Sequence, residues 1–193
     1  MNAFSAQSDQ AVARAAAAGD RAAFDEIVRR YMRPLLEFAA AKTSVPNAED
    51  IVQETFLRAY QNITAYSDRY TLKSWLFTIA WRQIISLYRK KQPDLLTDEP
   101  AWRPAESADP PDAEWLWAAA RTMGQDYYTV LWLRYQQQMT TDEIAQVMRK
   151  SQIGVRVLLH RARKRLGQMI AQTTSIPIGR PRKSAAALAE RTS

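Results

Sequence analysis

Residues 140–165 read TTDEIAQVMRKSQIGVRVLLHRARKR. Thr140-Thr141-Asp142-Glu143 has the pattern of a capping box, in which hydroxyl and carboxylate satisfy the free N–H groups of a helix start. A short helix is therefore expected from Thr141 to about Met148. Arg149-Lys150 makes a tight turn, and Ser151 can cap a longer helix. The apolar stripe of that helix is Val155, Leu158 or Leu159, Ala162, Leu166 and Ile170. A short capped helix, a turn and a longer helix have the layout of a helix-turn-helix, whose second helix presents its N-terminal residues to base edges. Those residues are Gln152, Ile153, Arg156, Val157 and His160. Arginine can bond guanine bidentately, glutamine can read adenine, and valine can touch a thymine methyl. Arg161, Arg163, Lys164 and Arg165 suit phosphates. A solvated basic helix in an ordinary bundle gives the same pattern, and the turn lacks the usual glycine.

Outward from this unit the helical signal continues. The chain has 193 residues with only five glycines, and the 3.6-residue period recurs throughout, so the fold class expected is all-α. Helices are expected over Gln10–Ala18, ended by Gly19, and from an Asp20 cap to Tyr31 or beyond, with Phe24, Ile27, Val28 and Tyr31 on one face. Pro34 is expected to kink or restart that helix. Asn47 is the expected cap of the next, which carries Ile51, Val52, Thr55, Phe56, Ala59 and Tyr60 on one side. Asp50, Gln53, Glu54 and Arg58 lie toward the other. After a turn near Ser67–Tyr70, Thr71 caps a long helix to about Lys91, with Leu72, Trp75, Leu76, Ile79 and Ile84 as core. Residues 92–112 contain five prolines and read as an extended linker. A second module, 113–172, follows. Trp115, Leu116 and Ala119 start its first helix, and Asp126 caps its second, which carries Val130, Leu131 and Leu133. Residues 173–193 read as a disordered basic tail.

Charge is distributed in blocks. The net charge is +7, which favours an anionic partner, either nucleic acid or an acidic membrane surface. Arg69–Lys91 has six Lys/Arg and no acid, Gln92–Glu114 has seven acids against Arg103, and Ile144–Ser193 has eleven Lys/Arg against Glu190. The absence of cysteine excludes disulfides, thiolate metal sites and cysteine nucleophiles, and fits a reducing compartment such as the cytoplasm. With His160 as the only histidine, a multi-histidine metal site cannot form within one chain. No cofactor or metal site is expected. Residues 1–19 lack the basic start and apolar run of a signal peptide, and no stretch reaches the roughly 18 apolar residues of a membrane span.

Two further constellations stand out. Tyr60, Tyr66, Tyr70, Trp75, Phe77, Trp81 and Tyr88 are set among Arg69, Lys73, Arg82, Arg89, Lys90 and Lys91. Rings interleaved with cations suit unpaired bases, at about 1–3 kcal/mol per stacked base, although residues alone favour core packing. The helix Ala48–Gln61 carries an acidic and amide face that is either solvated or a docking surface for a basic helix.

Taken in order, these segments resemble a family. Ala48-Glu-Asp-Ile-Val-Gln-Glu-Thr-Phe-Leu-Arg-Ala59 resembles region 2.2 of the extracytoplasmic-function sigma factors. Trp75-Leu-Phe-Thr-Ile-Ala80 is similar to their region 2.3–2.4 helix. Asp142-Glu-Ile-Ala145 and Leu159-His-Arg-Ala-Arg-Lys-Arg-Leu166 resemble region 4.2. The resemblance spans about Gly19–Ile170. It implies two small helical domains joined by a linker, region 2 over 10–91 and region 4 over 113–172. It implies that Asp50, Gln53, Glu54 and Leu57 meet the polymerase β′ clamp helices, and that region 4 meets the β flap. Ser67, Asp68, Arg69, Tyr70 and Thr71 would capture a flipped −10 base, with Arg82, Gln83, Ser86 and Arg89 along the same strand. Gln152, Ile153, Arg156, Val157, His160, Arg161 and Lys164 would meet the −35 element. An anti-sigma partner is also implied. The sequence departs from the common pattern at Arg82, Ser86, Arg149, Lys150, Gly154, Val157 and Leu158, which leaves the promoter sequence open. The function expected is promoter recognition and strand opening with core RNA polymerase, without covalent chemistry. A polymerase-independent helix-turn-helix regulator is the alternative. An enzyme is disfavoured, because no phosphate-cradling loop or nucleophile–base pair is visible.

Overall fold

Ser8 and Asp20 each turn a side-chain oxygen back onto a helix N-terminus, and these two caps begin the chain's first hairpin. The computed structural model describes residues 4–91 and 114–174. The linker expected at 92–112 and most of the tail expected at 173–193 lie outside the described residues, although the last helix includes residues 173 and 174. Eight α-helices and one 3-10 turn make up the described structure, with no strand among the described residues. They are α1 (Asp9–Ala17), α2 (Arg21–Ala40), α3 (Val45–Asn62), α4 (Leu72–Lys91), α5 (Glu114–Arg121), α6 (Gln125–Tyr135), α7 (Thr141–Met148) and α8 (Gln152–Thr174). The 3-10 turn Ile63–Ala65 follows α3.

The first module packs α1 to α4 together. Gly19 takes φ +96°, a backbone conformation that costs glycine no Cβ clash, and so reverses the chain between α1 and α2. Asp20 Oδ1 accepts from Ala23 N–H at 3.2 Å, as its position predicted. Pro34 does not interrupt α2, which continues to Ala40. A proline inside a helix costs about 3 kcal/mol, and full burial of Leu35, Phe38 and Ala39 just beyond it offsets that cost. The α3 start also differs from expectation. Ser44 occupies the cap position with Pro46 in the first turn, and Asn47 donates instead to the Ser44 hydroxyl at 2.8 Å. Proline has no N–H to satisfy there, so it fits the first turn of a helix. Ile51, Val52, Thr55, Phe56 and Ala59 are buried, whereas Tyr60 is half-exposed with its ring edge-on to Phe24 at 5.0 Å. Thr71 caps α4, its hydroxyl accepting from Ser74 N–H at 3.2 Å.

Glu26 sits wholly inside this module. Arg29 donates to it at 2.5 Å and Arg30 at 2.7 Å. The Arg29 and Arg30 hydrogen bonds hold its carboxyl down to about 2 against the upward push of burial. Arg30 also reaches Asp9 and the Phe4 and Gln7 carbonyls, tying the N-terminal segment to α2.

The second module packs α5, α6, α7 and α8. Trp117 and Ala120 are its buried apolar residues on α5, while Trp115 is half-exposed. Gly124, at φ +96°, starts α6. Asp126, the expected cap, lies inside the first turn and pairs with Lys150 at 2.8 Å. The Thr140–Glu143 capping box is fully formed. Val155, Leu159 and Ala162 are buried along α8, with Leu158, Leu166 and Ile170 half-buried, so Leu159 is the core choice of the expected pair.

The two modules share one hydrophobic cluster. Trp132 of α6 lies 5.1 Å from the Phe38 ring and 6.3 Å from Phe77, both in the first module. Separate modules on a tether were expected. Burying three aromatic rings at a joint face, at about 1.5–3 kcal/mol each, is the physical reason they are closed together.

Candidate nucleic-acid interface

The 67–71 loop is exposed throughout and is held at both ends. Tyr70 N–H donates to the Ser67 carbonyl at 3.2 Å, which closes the turn. The Tyr66 hydroxyl donates to the Tyr70 carbonyl at 2.9 Å, and burial pushes that phenol up from its ordinary value. Arg14 of α1 forks onto Asp68, and the Arg69 guanidinium lies 5.9 Å from the Tyr70 ring. The loop thus offers a half-exposed ring, a cation and hydroxyls, a combination that stacks on a base and bonds its edge.

Of the ring cluster, Phe77 and Trp81 are core, as residues alone favoured. Trp75 is half-buried against Tyr66, with ring centroids 5.5 Å apart, and Tyr60 and Tyr70 are exposed. Arg82, Ser86 and Arg89 are exposed and Gln83 half-exposed on α4. Their spacing of three and four residues puts them on one strip of the helix.

On α3, Asp50, Gln53 and Leu57 are exposed and Glu54 is half-exposed beside Arg58. Leu57 leaves about half its surface in water, 52%. A groove of 630 Å3 runs between α3 and α4, lined by Glu54, Leu57, Arg58, Gln61, Trp75, Ile79, Arg82 and Gln83 among others. The fold therefore brings Glu54 and Leu57 of the candidate docking face and Arg82 and Gln83 of the candidate strand-reading strip into one groove.

In the second module, α7 and α8 meet at Arg149, which adopts the left-handed conformation at φ 54° where glycine is usual. Gln152, Ile153, Arg156, Val157, His160, Arg161 and Lys164 are all exposed, on the side of α8 opposite Val155, Leu159 and Ala162. Ile153 is 72% exposed and Val157 42%, two apolar side chains on an otherwise cationic surface. The Gln152 amide donates to Asp142, linking the start of α8 to α7. Residues 144–174 contain seven Lys/Arg and no acid.

Comparison with known proteins bears directly on this geometry. The family profile described as Sigma-70 region 2 matches residues 27–93, and that described as Sigma-70, region 4 matches residues 113–166. The ECF RNA polymerase sigma factor SigW of Bacillus subtilis is 30% identical over 79% of this chain and 91% of its own length. The chain belongs to the extracytoplasmic-function sigma factors of RNA polymerase. The sigma factor SigM of the same species is 31% identical, over 74% of this chain and 91% of its own. Among solved structures, CnrH in complex with the cytosolic domain of CnrY has the same fold, with a TM-score of 0.64 and 22% identity over 85% of this chain and 97% of that one. The sigma factor RpoE of Bartonella quintana, in complex with the anti-sigma factor NepR, has a TM-score of 0.61 and 23% identity over 77% and 96%. As a sigma factor, the chain acts with core RNA polymerase on promoter DNA, and the polymerase-independent regulator is set aside. Among the described residues no helix is long and apolar enough to cross a membrane.

Sequence reasoning missed the contacts between the sigma factor's two regions. The Thr71 hydroxyl, at the end of the 67–71 loop, donates to Glu143 Oε1 at 2.7 Å. Lys73 Nζ donates to the Gln137 carbonyl at 3.1 Å, and the Ser74 hydroxyl lies 2.9 Å from Gln146 Oε1. Burial raises the Glu143 carboxyl, but the Thr140 N–H, the Thr71 and Thr140 hydroxyls and nearby Lys73 together bring it below the ordinary range. Each of these residues has an ordinary local place, in a cap, on a helix or in the loop after α6, so no pattern in the sequence marks it as a cross-region partner.

Proposed function

We propose that this sigma factor docks on the β′ clamp helices of core polymerase through Asp50, Gln53, Glu54 and Leu57 and carries the promoter strand along the facing wall of the same groove. Ser67, Asp68, Arg69, Tyr70 and Thr71 take a flipped −10 base, and Arg82, Gln83, Ser86 and Arg89 track the strand beyond it. The single observation that carries this reading is the groove itself, which sets Glu54 and Leu57 within one depression with Arg82 and Gln83. A surface continuous in this way lets polymerase and an unpaired strand be held together. Unpairing and flipping cost a few kcal/mol per base, and stacking and phosphate contacts offset them.

The α8 face reads the −35 element as duplex. Arg156 and Gln152 suit base edges, Val157 and Ile153 suit thymine methyls, and Arg161 and Lys164 suit phosphates. Residues 113–172 also meet the β flap, and residues 92–112 connect the two regions. No step makes or breaks a covalent bond, no cofactor enters, and the protein works in the cytoplasm. An anti-sigma protein holds it inactive, by analogy with the complex of Bartonella RpoE and NepR.

The double substitution Gln53→Ala with Glu54→Ala tests the docking face. Both side chains point out of α3, so helical content and thermal unfolding should be unchanged while affinity for core polymerase drops. Wild-type affinity in that variant would remove the docking assignment.

A further inference from the structure

Lys42 is the one cation among the described residues that is wholly buried with no hydrogen-bond partner for its Nζ. It lies where the two regions meet. Its Nζ is 4.9 Å from the Phe38 ring centroid and 5.9 Å from that of Trp81, both in region 2, and 4.5 Å from that of Tyr128 in region 4. Around it, α6 contributes Asp126 and the Tyr128 phenol, and the Asp126 carboxylate is already paired with Lys150 of the α7–α8 turn. From α4 comes Tyr88, whose hydroxyl donates to the carbonyl of Lys42 itself. No carboxylate reaches the ammonium, and ring faces compensate a buried cation only in part.

We propose that the closure of region 4 on region 2 is a self-inhibitory latch, and that Lys42 is the group that loosens it. The surfaces that the latch joins include the strand-reading segment. Thr71, one of the residues assigned to the −10 strand, gives its hydroxyl to Glu143, and the neighbouring Lys73 and Ser74 bond Gln137 and Gln146 beside it. Ser74 is fully buried in this state. Separating the regions returns Lys42 to water, frees the Thr71 hydroxyl and uncovers Ser74 together. The inhibitory part rests on the promoter reading above, whereas the closure itself does not.

The proton linkage has a definite sign. Burial holds the Lys42 amine well below its ordinary 10.5 in the closed form, against the opposing pull of Asp126. Closure is therefore fullest above that ordinary value and weakens as the pH falls toward the closed-form value, because the open form takes up the proton. Between the two values the open fraction rises about tenfold per pH unit lowered.

The chain has no cysteine, so Ser74→Cys places a single thiol at the joint. Its labelling rate by a soluble disulfide reagent, measured on the full chain without DNA or polymerase, reports the open fraction. Dividing that rate by the rate in Ser74→Cys with Lys42→Met cancels the thiol's own titration. As the pH is lowered below the ordinary lysine value the ratio should rise, approaching about tenfold per unit until the closed form itself takes up the proton. A ratio independent of pH would overturn the role of Lys42, and labelling as fast as a free thiol in both proteins would overturn closure. Gln146→Arg, on the joint face of α7, should speed labelling by roughly tenfold or more, since it buries a charge at the joint. The same substitution in the cysteine-free chain should raise its affinity for an unpaired −10-strand oligonucleotide. Faster labelling with unchanged affinity would overturn the inhibitory role and leave the polymerase-docking reading standing.

Discussion

Glu26 shows how a single buried charge is kept. Two guanidinium groups bond it from three and four residues further along the helix, and its carboxyl is held at about 2. An exposed glutamate in the unfolded chain titrates near about 4.3. The stability Glu26 gives is fully present above that value and is lost as the pH falls toward 2. Urea midpoints measured between pH 5 and 2 should therefore drop in the wild type. Glu26→Gln should lower the midpoint at pH 7 and flatten the acid limb, and an unchanged acid limb would contradict the assignment. Arg149 is the opposite case, a residue strained by its backbone. A non-glycine residue in the left-handed region costs about 1–2 kcal/mol. Arg149→Gly should raise the stability of region 4 by up to about 1 kcal/mol, after the extra entropy of an unfolded glycine. Thermal melts of the two proteins decide it.

The proposed −35 reading separates two kinds of DNA contact by position along α8. In that reading Arg156 meets the major groove near the helix start, so Arg156→Ala should cost about 1–3 kcal/mol on the −35 element and relax discrimination at one base pair. Lys164 lies two turns further on, so Lys164→Ala should weaken binding equally for all sequences and reduce the salt slope by about 1. Competition titrations with matched and mismatched −35 duplexes at several salt concentrations distinguish them. The α7–α8 unit was legible because its signals are local: a capping box, a serine cap and an apolar stripe. Caps that depend on chain entry were harder to read. Asn47 and Asp126 have the right chemistry, but Pro46 fits the first turn of α3, which moves its cap back to Ser44, and Gly124 takes the cap position of α6. Pro34 was expected to kink or restart α2, yet the helix runs on through it, with Leu35, Phe38 and Ala39 buried just beyond. The candidate site was legible as surface strips, since periodicity says which residues share a face. That Glu54 and Leu57 of α3 would share a groove with Arg82 and Gln83 of α4 depends on helix packing, which periodicity does not carry.

Closure of region 4 on region 2 has no signature in either region alone. Trp132 completes a helix like any apolar residue, yet its ring lies against Phe38 and Phe77 across the joint. A lysine such as Lys42 reads as surface in any sequence, and only the meeting of two regions buries it. The same chain therefore carries two faces of different purpose: the α3–α4 groove and the exposed side of α8 remain open, while the joint side of α4 is covered. The central claim is that these faces serve promoter-directed initiation by core polymerase. Run-off transcription with purified core enzyme and genomic DNA, with start sites mapped with and without this protein, tests it most directly. The account requires start sites that appear only when the protein is added, preceded by a shared pair of −35 and −10 sequences. A folded, anti-sigma-free preparation that yields no such starts would contradict it.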